Sequence, residues 1–116
     1  MPMKVFIAAF LLILFLDTAC TIQKKTMLPP CIQQKITAIQ KEPQWNPPAE
    51  VNEYLYEGKA VYLFSSPCCD QYNVVYDKDC HAICAPSGGI TGKGDRKCMD
   101  FQEKATFVRV IWKDNR

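Results

Sequence analysis

Seven cysteines carry most of the chemical potential of this chain: Cys20, Cys31, Cys68, Cys69, Cys80, Cys84 and Cys98. Thiols can pair as disulfides, bind a metal, exchange electrons or carry a lipid. The last six form an even set in a short chain, the arithmetic of a disulfide framework. Cys68 and Cys69 are adjacent, and an extended segment sends neighbouring side chains to opposite faces. That alternation predicts separate partners, one toward Cys31 and the other toward Cys80 or Cys84. Spacing does not choose among the many pairings, although Cys84 with Cys98 would close a glycine-rich loop. Cys80, His81, Cys84 and Cys98 superficially form a zinc set. However, adjacent Cys-His ligands are awkward and no second CxxC pair is present. Thiol redox catalysis favours CxxC, whereas this chain has CC and CxxxC. The expected metal content is none.

Other groups could do chemistry only in incomplete sets. His81 is the single histidine, and a hydrolase would need it beside Ser65, Ser66 or Ser87. None of these serines sits in a nucleophile-elbow context. Glu50, Glu53 and Glu57 could supply a glycosidase pair, yet carboxylates at this spacing usually decorate a solvated strand face. Asp77 and Asp79 resemble the start of a calcium loop, but Ala82 and Gly88 stand where glycine and glutamate are required. Asp70, Asp95 and Asp100 could complete only an irregular site, and turn-capping is the ordinary use of Asp. Ser87 and Gly94 likewise break the Walker pattern around Gly92-Lys93. The expectation is no enzyme and no cofactor. What survives is a candidate ligand loop made of Gly88, Gly89, Thr91, Gly92, Lys93, Gly94 and Asp95. Its backbone amides, with Lys93, Arg96 and Lys97, could hold an anion. Alternatively, a loop closed by Cys84 and Cys98 could enter a trypsin-like pocket as a peptidase inhibitor, or bind a small ligand or metal.

The elements around these residues begin with an export signal. Lys4 precedes an unbroken apolar run from Val5 to Leu16. That run fits a signal h-region and falls short of the ~20 residues of a membrane span. Residues 1–20 therefore read as a signal peptide ending at Cys20. Ala19-Cys20 looks like the end of a lipobox, with Asp17 where leucine usually stands. Lipidation of Cys20 also removes the odd cysteine from the disulfide count. Residues 21–30 (TIQKKTMLPP) read as a polar tether, and residues 31–116 as one globular domain. The formal net charge of +2 is too small to suggest nucleic acid. The expected partners are the membrane, through the lipid anchor, and an envelope protein or ligand. The expected location is the cell envelope, with secreted or periplasmic as the alternative.

Within the domain, Ile32, Ile36 and Ile39 follow a helical period between Pro30 and Pro43. Trp45 reads as a core anchor. Val51–Tyr56 and Lys59–Ser65 form a hairpin around Glu57-Gly58, with Tyr54 and Tyr56 on one face. Val61 and Leu63 oppose Tyr62 and Phe64. Asn73–Tyr76 and His81–Cys84 read as shorter strands, and Ala85–Lys97 as loop. Thr106–Trp112 alternates Thr106, Val108, Val110 and Trp112 against Phe107, Arg109 and Ile111. Both sides are largely apolar, which places this strand inside the sheet. The expected fold is α+β: one N-terminal helix packed on a small antiparallel β-sheet, stapled by disulfides.

A set of short motifs runs from Asn46 to Phe101. It comprises Asn46-Pro47-Pro48-Ala49-Glu50-Val51, Tyr54, Gly58-Lys59, Val61-Tyr62, Cys68-Cys69-Asp70-Gln71-Tyr72 and Tyr76-Asp77. Cys84-Ala85-Pro86, the run Gly88 to Asp95, and Cys98 with Phe101 complete it. In these motifs the chain resembles a family of short, uncharacterised bacterial envelope lipoproteins, known only as a domain of unknown function. The resemblance implies an exported or lipidated single-domain protein. It implies no activity and carries over no catalytic residue. The reading is a non-enzymatic binding or structural module of the envelope.

Overall fold

A computed structural model describes residues 27–116. The signal segment, Cys20 and the first part of the tether lie outside the described residues. Helix α1 spans Pro30–Gln40, and strands β1 and β2 span Glu50–Tyr56 and Lys59–Phe64. Strands β3 and β4 follow at Tyr72–Tyr76 and Ala82–Gly88, then helix α2 at Phe101–Lys104 and strand β5 at Thr106–Lys113. The strands form one antiparallel sheet in the order β4-β3-β2-β1-β5.

Pro30 at the first turn of α1 has a fixed φ suited to helix and no N–H to leave unsatisfied. Ile32, Ile36 and Ile39 are buried on one stripe and pack on Val51, Tyr62 and Phe64. Each isoleucine contributes roughly 1.5–3 kcal/mol by leaving water. The opposite face of the sheet is also covered. There Phe101 of α2 sits between Tyr54 and Tyr56, with ring centroids 5.1 Å away in each case. Val61, Val75 and the Cys84–Cys98 pair complete this second cluster. The Tyr56 hydroxyl donates to Asp100 Oδ1 at 2.7 Å, which ties α2 to β1. The C-terminal segment is tied back across the first layer. Arg116 pairs with Asp114 at 2.7 Å and donates to the carbonyls of Gln40 and Glu42 after α1.

Several expectations are corrected. Among the described residues, two helices flank the sheet instead of one. Ala85–Gly88 belongs to β4, because Ser87 and Gly88 continue the pairing with Asn73 and Tyr72 of β3. Strand β5 is an edge strand, not an interior one: among the described residues it pairs only with β1. Two register shifts break its alternation, so Phe107 and Val110 share the α2 face, opposite Arg109 and Trp112. Bulges of this kind twist an edge away from foreign strands. The other edge, β4, is covered by its own loop, through Asp95 N–H to the Ala85 carbonyl and Gly94 N–H to the Gly88 carbonyl.

The disulfides are Cys31–Cys80, Cys68–Cys69 and Cys84–Cys98. The adjacent cysteines bond to each other, against the expectation of separate partners. Strand β2 has ended at Phe64, and Cys68 opens a turn in which its carbonyl accepts the Gln71 N–H. Strand alternation therefore does not apply to this pair. Cys31 and Cys84 are meanwhile committed elsewhere. Cys31–Cys80 staples α1 to the turn after β3, and Cys84–Cys98 closes the glycine loop.

Candidate functional site

The expected ligand loop is bound up in its own structure. The N–H groups of Gly89, Gly92, Gly94 and Asp95 donate to the carbonyls of Gln71, Gly89, Gly88 and Ala85. Those of Lys93 and Lys97 donate to the side chains of Thr91 and Asp95. A phosphate-cradling loop needs several amides converging on one empty point, and these six bond within the fold instead. Gly94 lies so close to β4 that a Cβ would overlap the Ala85 carbonyl oxygen. Gly89 serves the same purpose for the ring of Tyr72. What the loop displays is its tip, where Ile90 is 91% exposed in a Gly89–Gly92 turn.

The remaining candidates disperse. Glu50 and Glu53 lie on opposite faces of β1, and Glu57 lies in the exposed hairpin turn. Glu53 is buried and pairs with Arg109 at 3.3 Å. No two of these carboxylates converge. Asp77, Asp79 and His81 do cluster in the β3–β4 turn. The geometry is that of a capped turn: Asp77 Oδ1 accepts the N–H groups of Asp79 and His81 at 2.8 and 2.9 Å. Oδ2 faces His81 Nδ1 at 3.0 Å. The His81 backbone N–H is the main cause that holds the Asp77 carboxyl below its ordinary range. Ser65, Ser66 and Ser87 bond to Glu50 and Asn73, so none approaches His81. The zinc set is dissolved, since Cys80, Cys84 and Cys98 are all in disulfides. Asp100 serves Tyr56 and Lys104.

A different place has the form of a binding site. On the α1 side of the sheet, the helix leaves β3 partly uncovered. An open cleft of about 450 Å³ remains there, lined by Lys35, Ile39, Trp45, Phe64, Tyr72 and Tyr76. That volume is within the range of small-molecule pockets. The alternation of β3 sends Tyr72, Val74 and Tyr76 to this face, while Val75 goes to the other cluster. Trp45 is half-buried, and its indole N–H donates to Glu42 Oε2 at 2.9 Å, which fixes the ring. Phe64 and Tyr76 meet edge to face at 5.3 Å. The Lys35 ammonium lies 4.2 Å from the centre of the Tyr76 ring, a cation–π arrangement. Ser66, Pro67 and Gln71 form the far rim, beside the Cys68–Cys69 bond. The glycine loop thus lies behind this site, with Gly89 directly against the Tyr72 ring.

In the sequence, Trp45 reads as a core anchor and Phe64 and Tyr76 as strand residues, while Tyr72 falls just outside the expected strand Asn73–Tyr76. The signal available was the period of two in Tyr72, Val74 and Tyr76. Their convergence with Lys35 and Trp45 depends on where α1 crosses the sheet.

Three disulfides point to an extracytoplasmic domain. No helix among the described residues is long and apolar enough to cross a membrane. No curated protein and no solved structure matches the chain. The family model described as "Domain of unknown function (DUF6970)" matches residues 37–114, which takes in all five strands, Trp45 and the glycine loop. The chain belongs to this DUF6970 family.

Proposed function

We propose that the protein is an exported, lipid-anchored, non-enzymatic binding module of the cell envelope, and that its contact surface is the aromatic cleft. The observation that carries the binding reading is the cleft itself. Rings from three separate segments (Trp45, Phe64, and Tyr72 with Tyr76) line a common space beside Lys35, and Gly89 of the loop behind them packs on one of the rings. Support for export comes from the signal-like segment and from the three disulfides. Support for anchoring is the lipobox-like Ala19-Cys20. A single acyl signal gives only marginal membrane affinity, so a diacyl or triacyl group on Cys20 is the form expected.

Intact mass of the protein from its native membrane fraction tests the anchoring, before and after reduction and alkylation. The expected result is a chain beginning at Cys20 with an acyl adduct, whose other six cysteines alkylate only after reduction. An unlipidated chain would remove the anchor. Two or more free thiols in the native protein would remove the disulfide-stapled module.

A further inference from the structure

The chemistry of the cleft is specific enough to name a ligand class, which rests on the binding-module reading above. Lys35 is only partly exposed, and its ammonium rests on the Tyr76 ring. It makes no ion pair among the described residues. A partly desolvated cation without a counter-charge attracts an anion of matching size. Beside it stand the half-buried indole of Trp45 and the half-exposed ring of Tyr72. Such rings accept the flat, C–H-bearing face of a six-membered ring, where burial of apolar surface and the ring quadrupole both favour contact. The rim adds polar groups. The Gln71 carboxamide and the hydroxyls of Tyr72 and Tyr76 make no side-chain hydrogen bond among the described residues. Gln71 offers two donors and an acceptor, and each tyrosine one of each.

We propose that this cleft binds an acidic sugar unit, a six-membered ring carrying a carboxylate and free hydroxyls. The carboxylate pairs with Lys35. The apolar face of the ring lies on Trp45 and Tyr72, and Gln71 with the tyrosine hydroxyls takes the sugar hydroxyls. A neutral sugar would leave the ammonium unpaired. An aromatic acid would fill the ring site and leave the polar rim without partners, which disfavours it.

The test is a titration of the purified, isotope-labelled protein followed by NMR. The Trp45 indole N–H and the Gln71 side-chain amide are the reporters. Glucuronate, glucose and benzoate are the probes. Glucuronate is expected to shift both reporters saturably, with glucose and benzoate each at least tenfold weaker. Lys35→Met, which keeps the aliphatic stem, is expected to weaken glucuronate at least tenfold while the melting temperature is retained. Tyr72→Ala provides an independent loss on the other wall. Glucuronate binding no tighter than glucose, or unchanged in Lys35→Met, overturns the acidic-sugar assignment. If glucose or benzoate moves the reporters and glucuronate does not, the ligand class falls and the cleft stands as a binding site. If no probe moves them up to about 10 mM, the cleft itself falls as the contact surface.

Discussion

The ring of Tyr72 occupies the space where a side chain at Gly89 would stand. Gly89 also donates its N–H to the Gln71 carbonyl at 3.0 Å. Through these contacts the glycine-rich loop, whose tip is exposed, sets the wall of a cleft on the sheet. Close approach at Gly89 and Gly94, both at positive φ, therefore accounts for glycine at these two positions.

Replacing these glycines should weaken the fold in a defined order. Gly94→Ala adds a Cβ against the Ala85 carbonyl at positive φ, where the obstacle is backbone and cannot swing away. The expected loss is about 2–4 kcal/mol. Gly89→Ala meets a movable tyrosine ring and should cost about 1–3 kcal/mol, with Tyr72 displaced into the cleft. Gly92→Ala meets no atom within 4 Å and should cost only about 1 kcal/mol, the conformational part alone. Urea unfolding of the three variants checks the order. Equal losses would mean that close approach plays no part.

The three disulfides should differ in both accessibility and worth. Cys68 and Cys69 are exposed, whereas Cys84 and Cys98 are 4% and 5% exposed. Limiting reductant followed by alkylation should label Cys68 and Cys69 first. Loop-closure entropy ranks the contributions to stability. The sequence separation of 49 in Cys31–Cys80 predicts about 4 kcal/mol, and that of 14 in Cys84–Cys98 about 3 kcal/mol. Cys68–Cys69 closes essentially no loop and should add little. Paired Cys→Ser variants test the ranking, and it fails if the adjacent pair proves the most stabilising.

The Tyr56–Asp100 hydrogen bond should shape the pH dependence at both ends. The bond from the Tyr56 hydroxyl holds the Asp100 carboxyl below its ordinary value. Its stabilising effect is present above the ordinary carboxylate range and is lost as pH falls through the depressed value. The same bond, with burial, pushes the Tyr56 hydroxyl from 10.0 to about 12. That contribution is fully present below pH 10.0 and is lost as pH rises through about 12. In Tyr56→Phe, Asp100 should titrate closer to the ordinary range, as read from its carboxyl carbon shift. An Asp100 that titrates identically in both proteins would show that the bond is not formed in solution.

Peptidase inhibition is not expected. An inhibitory loop presents a pre-organised segment to the protease cleft. Here the tip is a tight Gly89–Gly92 turn, and the flanking amides bond back onto β4. Titration of trypsin with up to about 10 µM protein should leave its activity unchanged, since a Kd of ~1 µM or tighter would show within that range. Stoichiometric inhibition abolished by Lys93→Ala would revive the inhibitor reading.

Much of the architecture was legible because it follows from local periodicity. The isoleucine spacing of α1 and its flanking prolines gave the helix, and Glu57-Gly58 between two β-rich runs gave the hairpin. The faces of β1 and β2 follow from simple alternation, and Tyr54 and Tyr56 do share the face that meets Phe101. Strand β5 departs from the expected interior position because apolar residues on both sides do not require a second neighbouring strand: Phe107, Val108 and Val110 stay exposed at the sheet edge. The adjacent cysteines escape strand alternation because β2 ends at Phe64, before them, and they bond to each other in the following turn.

By itself the sequence determined helix α1, most strands and the even cysteine set. These depend on interactions between residues close in the chain. Which cysteines pair, which strand forms an edge, and which rings face a common space depend on how distant segments cross. Lys35, Trp45, Phe64 and Tyr72 come from four separate stretches of chain. Only the packing of α1 on the sheet, braced by the glycine loop, brings them around one cleft.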